Sequence, residues 1–194
     1  MTRADAPSSV LALDSAAREV AVRIRAAARL TGRFVLRSGR IADTYFDKYR
    51  FEADPTLLRA IAELLARRLP SDVEVVAGLE MGGIPIVTML SQVTGLPAAF
   101  VRKEAKSYGT CRYAEGASLT GRRVVLVEDV VSTGGALLDA TAKLVADGIR
   151  PIGALCVIDR ETGGREALAA AGVPLDALFT YAQVESAHSE AAEG

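Results

Sequence analysis

The sequence is poor in the residues that mark metal centres, disulfide frameworks and membrane spans. It has no tryptophan and one histidine, and its two cysteines, Cys111 and Cys156, show no metal-ligand spacing. Two cysteines in 194 residues predict free thiols in a reducing compartment. No run of about 18 uncharged apolar residues occurs, and the N-terminus lacks a basic stretch followed by an apolar core. These absences predict a cytoplasmic protein with no membrane association.

An excess of charge of one sign is also absent. The chain has 23 basic and 24 acidic residues, a net charge of -1, which provides no overall field for nucleic acid or for an anionic membrane. Nucleic acid is therefore not an expected partner, and an anionic ligand must be held by a local cluster. The 50% of hydrophobic residues suffice for a buried core, and the length predicts a single domain over residues 1–194.

The N-terminal part of the chain predicts two helices separated by a small hood. Asp14 precedes a helical pattern that Thr31-Gly32 stops, and Asp54-Pro55 is typical of the start of a second helix. Between them, residues 33–51 combine aromatic side chains with a Ser-Gly pair, which predicts short strands around a turn.

After Pro70, which is predicted to close the second helix, short apolar runs alternate with helical patterns. The predicted strands lie at 73–77, 98–101, 124–127, 152–158 and 175–181, and the predicted helices at 84–93, 136–146 and 165–171. Strands without polar alternation indicate a parallel sheet with helices on both faces, so the predicted fold class is α/β. Residues 14–53 would form the N-terminal helix and hood, residues 54–182 the core, and residues 183–194 a frayed tail.

The segment at residues 124–136 carries the most informative chemistry. An apolar strand runs into Glu128 and Asp129 and then into a Ser-Thr-Gly-Gly loop that opens a helix. Ligands bind at the carboxyl ends of parallel strands, and such a loop offers hydroxyls and backbone N–H groups to a phosphate. Because neighbouring strand residues point to opposite faces, both carboxylates can serve one ligand only if the backbone leaves the strand there. The pattern favours a sugar-phosphate site, and the alternative is an ordinary strand end whose polar residues cap a turn and a helix.

A second candidate is the charged segment at residues 102–113, which has no helical or strand periodicity. Its charged side chains are Arg102, Lys103, Lys106 and Arg112, with Glu104 as the single acid. Such a segment cannot bury itself, so we expect it to be mobile. Cations on a moving loop suit a site that closes over a highly charged leaving group, and the alternative is a solvated surface loop.

Residues 124–136 resemble the phosphoribosyl-pyrophosphate (PRPP) binding motif of the type I phosphoribosyltransferases. They do not form a Walker A loop, because the Gly-Lys-Ser/Thr ending is absent. Residues 102–116 resemble the catalytic loop of one branch, the orotate phosphoribosyltransferases, in which this loop reaches into the neighbouring subunit. The resemblance implies the type I fold, with a twisted parallel sheet, and a homodimer in which this loop completes the neighbouring active site. The family usually has histidine at the position of Tyr108, whose hydroxyl can form a hydrogen bond but cannot be cationic.

Three shorter segments extend the resemblance. Tyr45 and Phe46 resemble the family's aromatic hood over the base, although a hydrophobic staple over the sheet edge would use the same residue types. Arg160 occupies the orotate-recognition position, where a guanidinium would pair with the carboxylate of orotate, and a surface salt bridge is the alternative. Residues 78–83 resemble the loop that contacts pyrophosphate, although some members have a lysine at the position of Gly82.

The resemblance implies roles for residues at the carboxyl edge of the sheet. The catalytic residues would be Arg102, Lys103, Lys106 and Asp129. PRPP would contact Arg37, Arg102, Lys103, Lys106, Tyr108, Glu128, Asp129, Val130, Val131, Ser132, Thr133, Gly134, Gly135 and Ala136. Orotate would contact Tyr45, Phe46, Ser132 and Arg160. The cofactor would be Mg²⁺, held mainly by PRPP and water, with no direct side-chain ligand assigned.

Together these features imply transfer of the phosphoribosyl group from PRPP to orotate, giving orotidine 5′-monophosphate and diphosphate in pyrimidine (UMP) biosynthesis. The sugar passes through an oxocarbenium-like state, so no protein nucleophile is required. Two alternatives remain open. A purine phosphoribosyltransferase of the same fold would leave Arg160 unexplained, and a non-catalytic, PRPP-sensing regulator that binds RNA should show a basic face.

Overall fold

The computed structural model describes residues 13–35, 39–104 and 113–188. The first helix, α1 (Ser15–Ala28), begins where the carboxylate of Asp14 accepts a hydrogen bond from the Ala17 N–H at 2.7 Å. The prediction that Thr31-Gly32 stops this helix is wrong, because the chain enters a strand, β1 (Arg29–Val35), directly after the helix. Hydrogen bonds to a neighbouring strand end the helix here, and that partner is not visible in the local sequence.

The partner of β1 is β2 (Ile41–Phe46), which pairs with it antiparallel. This pairing confirms the predicted short strands, and residues 36–38 of the turn between them lie outside the described residues. The strand prediction is wrong for the end of the hood, where a short helix, α2 (Lys48–Glu52), follows β2. Asp47 begins α2 by accepting a hydrogen bond from the Tyr49 N–H at 3.2 Å. A capped helix therefore connects the hood to the core.

Six strands form the central sheet: β3 (Val75–Leu79), β4 (Ala98–Val101), β5 (Ala114–Gly116), β6 (Val124–Val131), β7 (Gly153–Asp159) and β8 (Leu175–Thr180). They are hydrogen-bonded in the order β5-β4-β3-β6-β7-β8. Neighbouring strands are parallel except for β5, which runs antiparallel to β4. The predicted parallel sheet is thus confirmed, whereas β5 was missed because three residues are too few to show a pattern.

Helices cover both faces of this sheet, as predicted. They are α3 (Pro55–Ala66), α4 (Gly83–Thr94), α5 (Gly135–Ala146), α6 (Gly164–Ala170) and α7 (Tyr181–Ser186). One buried cluster joins α1, α3 and α4 to β6 through Val125 and Val127, and another joins α5 and α6 to β6 through Val124 and Leu126. Alternate residues of β6 serve opposite faces, which explains the uninterrupted apolar run. None of the helices in the described ranges is long and apolar enough to cross a membrane.

Two helices differ in extent from the sequence-based expectation. α3 follows Asp54, whose carboxylate accepts hydrogen bonds from the Thr56 and Leu57 N–H groups at 2.9 and 3.1 Å, but it ends at Ala66, before Pro70. α7 occupies the start of the predicted frayed tail. It is held by a reciprocal capping box of Thr180 and Gln183 and by burial of Val184.

Candidate active site

Two acids, Glu128 and Asp129, lie near the carboxyl end of β6. The strand continues through both to Val131 with its pairing to β7 unbroken, so the expectation that the backbone leaves the strand at the acids is wrong. The Glu128 carboxylate accepts a hydrogen bond from the Asp129 N–H at 3.0 Å, and the Asp129 carboxylate accepts one from the Val130 N–H. Each side chain therefore bends toward the backbone N–H of the residue that follows it, and the two carboxyl groups interact with each other. Both are buried, and Asp129 is completely so.

Two residues of α2 that the sequence pattern did not single out complete this cluster. Lys48 Nζ lies 2.6 Å from Asp129 Oδ2, and the carboxyl group of Glu52, which is only 7% exposed, lies beside the same carboxyl group. Lys48 and Glu52 are four residues apart and so share one face of the helix, which is the only local signal that relates them. We refer to Lys48, Glu52, Glu128 and Asp129 as the buried ionic cluster.

Burial disfavours ionisation of two of the three carboxyl groups in the buried ionic cluster. Burial raises the pKa of Glu52 to about 9, and burial together with the neighbouring Asp129 charge raises the pKa of Glu128 well above its usual range. Burial would also raise the pKa of Asp129, but hydrogen bonds with Glu128, Glu52 and Lys48 outweigh burial and lower it. Burial opposes the charge of Lys48, and the hydrogen bond with Asp129 nevertheless keeps the Lys48 pKa raised. Asp129 is therefore the ionised carboxylate, and Lys48 is its counter-charge.

The loop after β3 reaches the same cluster. A Cβ added at Gly82 would lie 1.7 Å from Asp129 Oδ2, and one added at Gly83 would lie 2.4 Å from the Val127 carbonyl oxygen. Only glycine allows this loop to approach β6 so closely. A lysine at position 82, as in some family members, would not fit beside Asp129 in this arrangement.

Residues 132–135 form the predicted phosphate loop between β6 and α5. Ser132 and Thr133 are exposed, and Gly134 adopts a φ of +77° as the N-cap of α5, where no side chain of the described residues caps the helix. The first N–H groups of α5 can therefore bind an anion at the positive end of the helix. A Cβ added at Gly164 would lie 2.4 Å from the Ser132 carbonyl oxygen, so the loop packs tightly against the start of α6.

Arg160 follows β7 and stands beside the phosphate loop. Its backbone N–H donates a hydrogen bond to the carbonyl oxygen of Val131, the last residue of β6, at 2.8 Å. The side chain of Val131 is buried. The neighbouring acid, Asp159, pairs with Arg165 at 3.3 Å, and no ion pair holds the Arg160 side chain among the residues that the structure describes. The surface salt bridge considered as the alternative role of Arg160 is therefore not seen there.

A cavity of about 270 Å³ opens over Arg160. The guanidinium carbon lies 5.0 Å from the ring centroid of Tyr181 and 6.0 Å from that of Phe46. Both predicted hood residues line the cavity, but they do so with different partners: Phe46 contacts Tyr181 at 5.6 Å between centroids, whereas Tyr45 contacts Phe34 at 5.5 Å. The cavity therefore combines aromatic walls with charged groups, since Arg29, Arg40 and Glu185 line it together with Arg160. Tyr45 and Phe46 approach it from different directions.

The charged segment leaves the sheet at the end of β4. Arg102 Nε donates a hydrogen bond to the Glu104 carbonyl oxygen at 3.2 Å, and Lys103 is exposed. Lys143 of α5, which the sequence pattern did not single out, donates a hydrogen bond to the Lys103 carbonyl oxygen at 3.0 Å. The start of the segment is thus tied to the helix that follows the phosphate loop. The other predicted contacts, Arg37, Lys106 and Tyr108, lie outside the described residues, as do Cys111 and Arg112.

Comparison with known proteins identifies the family. A family model described as the phosphoribosyl transferase domain matches residues 49–171. The orotate phosphoribosyltransferase of Nocardioides sp. is 49% identical over 173 residues, which cover 89% of this chain and 97% of that protein. The chain belongs to the orotate phosphoribosyltransferases. A further member of the family, from Halobacterium salinarum, is 43% identical over 77% of this chain and 85% of its own length.

Solved orotate phosphoribosyltransferases share the fold. The Mycobacterium tuberculosis enzyme in complex with inorganic phosphate superposes with a TM-score of 0.79 at 32% identity, covering 89% of this chain and 99% of that one. The same enzyme in complex with PRPP gives a TM-score of 0.76 at 29% identity, covering 88% and 99%. These matches confirm the predicted type I phosphoribosyltransferase fold and its orotate branch.

Proposed function

We propose that the chain uses the carboxyl edge of its sheet to transfer the 5-phosphoribosyl group from PRPP to orotate, giving orotidine 5′-monophosphate and diphosphate in pyrimidine (UMP) biosynthesis. The observation that carries the proposal is the setting of Arg160, which lies in an aromatic-lined cavity without an ionic partner among the described residues. Orotate is a planar base with a carboxylate, and a guanidinium pairs bidentately with such a group. The backbone bond from Arg160 to Val131 places this cavity next to the phosphate loop.

PRPP is assigned to the elements around Asp129. The N-terminus of α5, with Ser132 and Thr133, receives the 5′-phosphate, because uncapped N–H groups and hydroxyls are donors to its oxygens. The ribose hydroxyls donate hydrogen bonds to the acids of β6, which are buried among the described residues, so PRPP binding must expose them. The loop at Gly82 and the cation of Arg102 face the diphosphate, since both follow strands that end at this edge.

The reaction needs charge stabilisation rather than a protein nucleophile. The bond between the anomeric carbon and the diphosphate oxygen breaks, its electron pair leaves with diphosphate, and a ring nitrogen of orotate bonds to that carbon. Asp129 places a negative charge near the oxocarbenium-like sugar, while Arg102, Lys103 and Lys106 neutralise the departing diphosphate. The charge of orotate at neutral pH lies on its carboxylate, so the reacting ring nitrogen loses its proton as the new bond forms. The departing diphosphate, whose oxygens become more basic as the bond to carbon breaks, or water accepts that proton.

Mg²⁺ is the proposed cofactor, held mainly by diphosphate oxygens and water. The acids nearest the sugar fit this arrangement, because burial raises the pKa values of Glu52 and Glu128, and Asp129 is paired with Lys48. In the described ranges, no group of three or more histidine, cysteine or acidic residues is arranged to hold a metal ion. When bound, the ion supplies positive charge to the leaving group.

The near-ultraviolet absorbance of orotate provides the direct test. We expect purified protein to deplete orotate only when PRPP and Mg²⁺ are both present, with uracil, hypoxanthine and adenine left unchanged. Consumption of a purine without orotate turnover would contradict the role of Arg160. Turnover of no base would contradict the enzymatic function and favour the PRPP-sensing regulator.

We also propose a homodimer in which the loop at residues 102–116 completes the active site of the neighbouring subunit. Residues 102–113 of this loop connect β4 to β5, and these two strands form one outer edge of the sheet. The acids, in contrast, lie in the central strand β6, and the phosphate loop follows it. A loop that begins and ends at a sheet edge is suited to reach across to a second copy.

Mixing two inactive variants tests this sharing. Lys103→Ala and Asp129→Asn should each abolish most of the turnover, and subunit exchange between them should restore roughly a quarter of the wild-type activity, because half of the dimers become hybrids with one intact site each. Lys103→Ala mixed with Arg102→Ala is the matched control, and it should restore nothing because both changes lie on the loop. No recovery after proven subunit exchange would contradict the shared site.

A further inference from the structure

The buried ionic cluster contains two residues, Lys48 and Glu52, to which the reaction described above gives no role. Lys48 Nζ contacts Asp129 Oδ2 at 2.6 Å, and the carboxyl group of Glu52, only 7% exposed, lies beside the same carboxyl group. The Oε1 atom of Glu52 is buried and accepts no hydrogen bond from the described residues. A charged oxygen would be costly in such a place, whereas a protonated carboxyl group can donate to Asp129.

The groups that face this cluster come from three elements. α2 contributes Lys48, Glu52 and the ring of Tyr49, β6 contributes Glu128 and Asp129, and the loop after β3 contributes Gly82. Three carboxyl groups therefore share a buried site with the ammonium group of Lys48. Because carboxylates in contact cannot all ionise, loss of that ammonium group would favour protonation of Asp129.

We propose that Lys48 and Glu52 are positioning residues of the transferase site. Lys48 supplies the counter-charge and Glu52 donates the hydrogen bond, and together they hold Asp129 ionised and fixed beside the ribose. The inference rests on the proposed function, which assigns Asp129 to the sugar. A neutral Asp129 could still form hydrogen bonds with PRPP, but it would not stabilise the positive charge that develops on the sugar. The two positioning residues therefore act on turnover more than on PRPP binding.

Lys48→Met should lower kcat by roughly tenfold or more and change KM for PRPP much less, since only the transition state carries the developing charge. The acid limb of the plot of kcat against pH should move to higher pH by roughly 1 to 3 pH units, because Asp129 loses the opposite charge that lowers its pKa and such a charge alters a carboxyl pKa by that amount. Lys48→Arg should restore the wild-type acid limb. Arg50→Met is the matched control, because it removes one positive charge from an exposed position of the same helix and should leave the profile unchanged.

Glu52 is tested by a second pair of variants. Glu52→Gln should keep most of the turnover that Glu52→Ala loses, because an amide donates a hydrogen bond as a protonated carboxyl group does. Lys48→Gln replaces Lys48→Met if the latter does not fold. A folded Lys48 variant with the wild-type acid limb, or equal losses in the two Glu52 variants, would overturn the inference while wild-type turnover of orotate stands. A wild-type protein that turns over no base would overturn both the inference and the proposed function.

Discussion

Replacing Arg160 with leucine should lower kcat/KM for orotate by roughly 100-fold. A hydrogen bond to a charged group contributes about 1.5 to 3 kcal/mol, and each 1.4 kcal/mol corresponds to about tenfold. The guanidinium lies against the rings of Phe46 and Tyr181 and has no competing ion pair among the described residues, so its charge is available to the orotate carboxylate. Steady-state kinetics with orotate varied at saturating PRPP would measure the loss.

The same variant contains its own control, because the proposed PRPP contacts do not include Arg160. KM for PRPP and the melting temperature should change little in Arg160→Leu. Arg160→Lys should show a smaller loss, since lysine keeps the charge but cannot form the planar, two-point pair. An unchanged kcat/KM for orotate in Arg160→Leu would show that the carboxylate binds at another residue.

Glu52→Gln should stabilise the protein, and the gain in unfolding free energy should grow with pH. The pKa of Glu52 is about 9 in the folded state against 4.5 for an unperturbed glutamate. Between these values the unfolded chain loses the proton and the folded chain keeps it, so the unfolding free energy of the wild-type protein falls as pH rises. Glutamine has no proton to lose and escapes this decline. The difference should reach on the order of a few kcal/mol near pH 9, less than the full pKa difference implies because the cluster shares its protons.

Urea unfolding at a series of pH values would measure this effect. The unfolding free energies of wild type and Glu52→Gln, plotted against pH, should converge near pH 4.5, where Glu52 is protonated in much of the unfolded chain as well. Above that pH the two plots should separate. Glu19→Gln is a suitable control, because Glu19 is exposed on α1 and lies outside the cluster. Parallel pH dependences for wild type and Glu52→Gln would mean that Glu52 is ionised in the folded protein.

The core elements and the phosphate loop could be predicted because their signals lie within a few residues of each other. The apolar run at 98–101 coincides with β4, and Asp14 and Asp54 mark helix starts because their carboxylates accept N–H groups of the first turn. The apolar strand followed by Ser-Thr-Gly-Gly predicted both β6 and the loop that opens α5. Parallel strands end at one edge of a sheet, so the sequence also indicated where the ligand site would lie.

Contacts between distant parts of the chain could not be predicted in this way. β5 forms because β4 offers it a partner, and α1 ends where β1 begins to pair with β2. Phe46 turns toward Tyr181 and Arg160 instead of stacking beside Tyr45, because the packing of the hood on α7 decides its direction.

The sequence by itself determined the fold class, the family and the glycine-rich loop that opens α5, since each depends on residue order and local spacing. The tertiary structure decided which side chains surround Asp129. Lys48 and Glu52 meet Asp129 only because α2 lies beside the end of β6. Gly82, which has no side chain, leaves the space that the Asp129 carboxylate fills. Burial of the carboxyl groups and their contacts with one another and with Lys48 shift their pKa values and so decide the charge of the site. The residue types alone would predict only the ordinary pKa values.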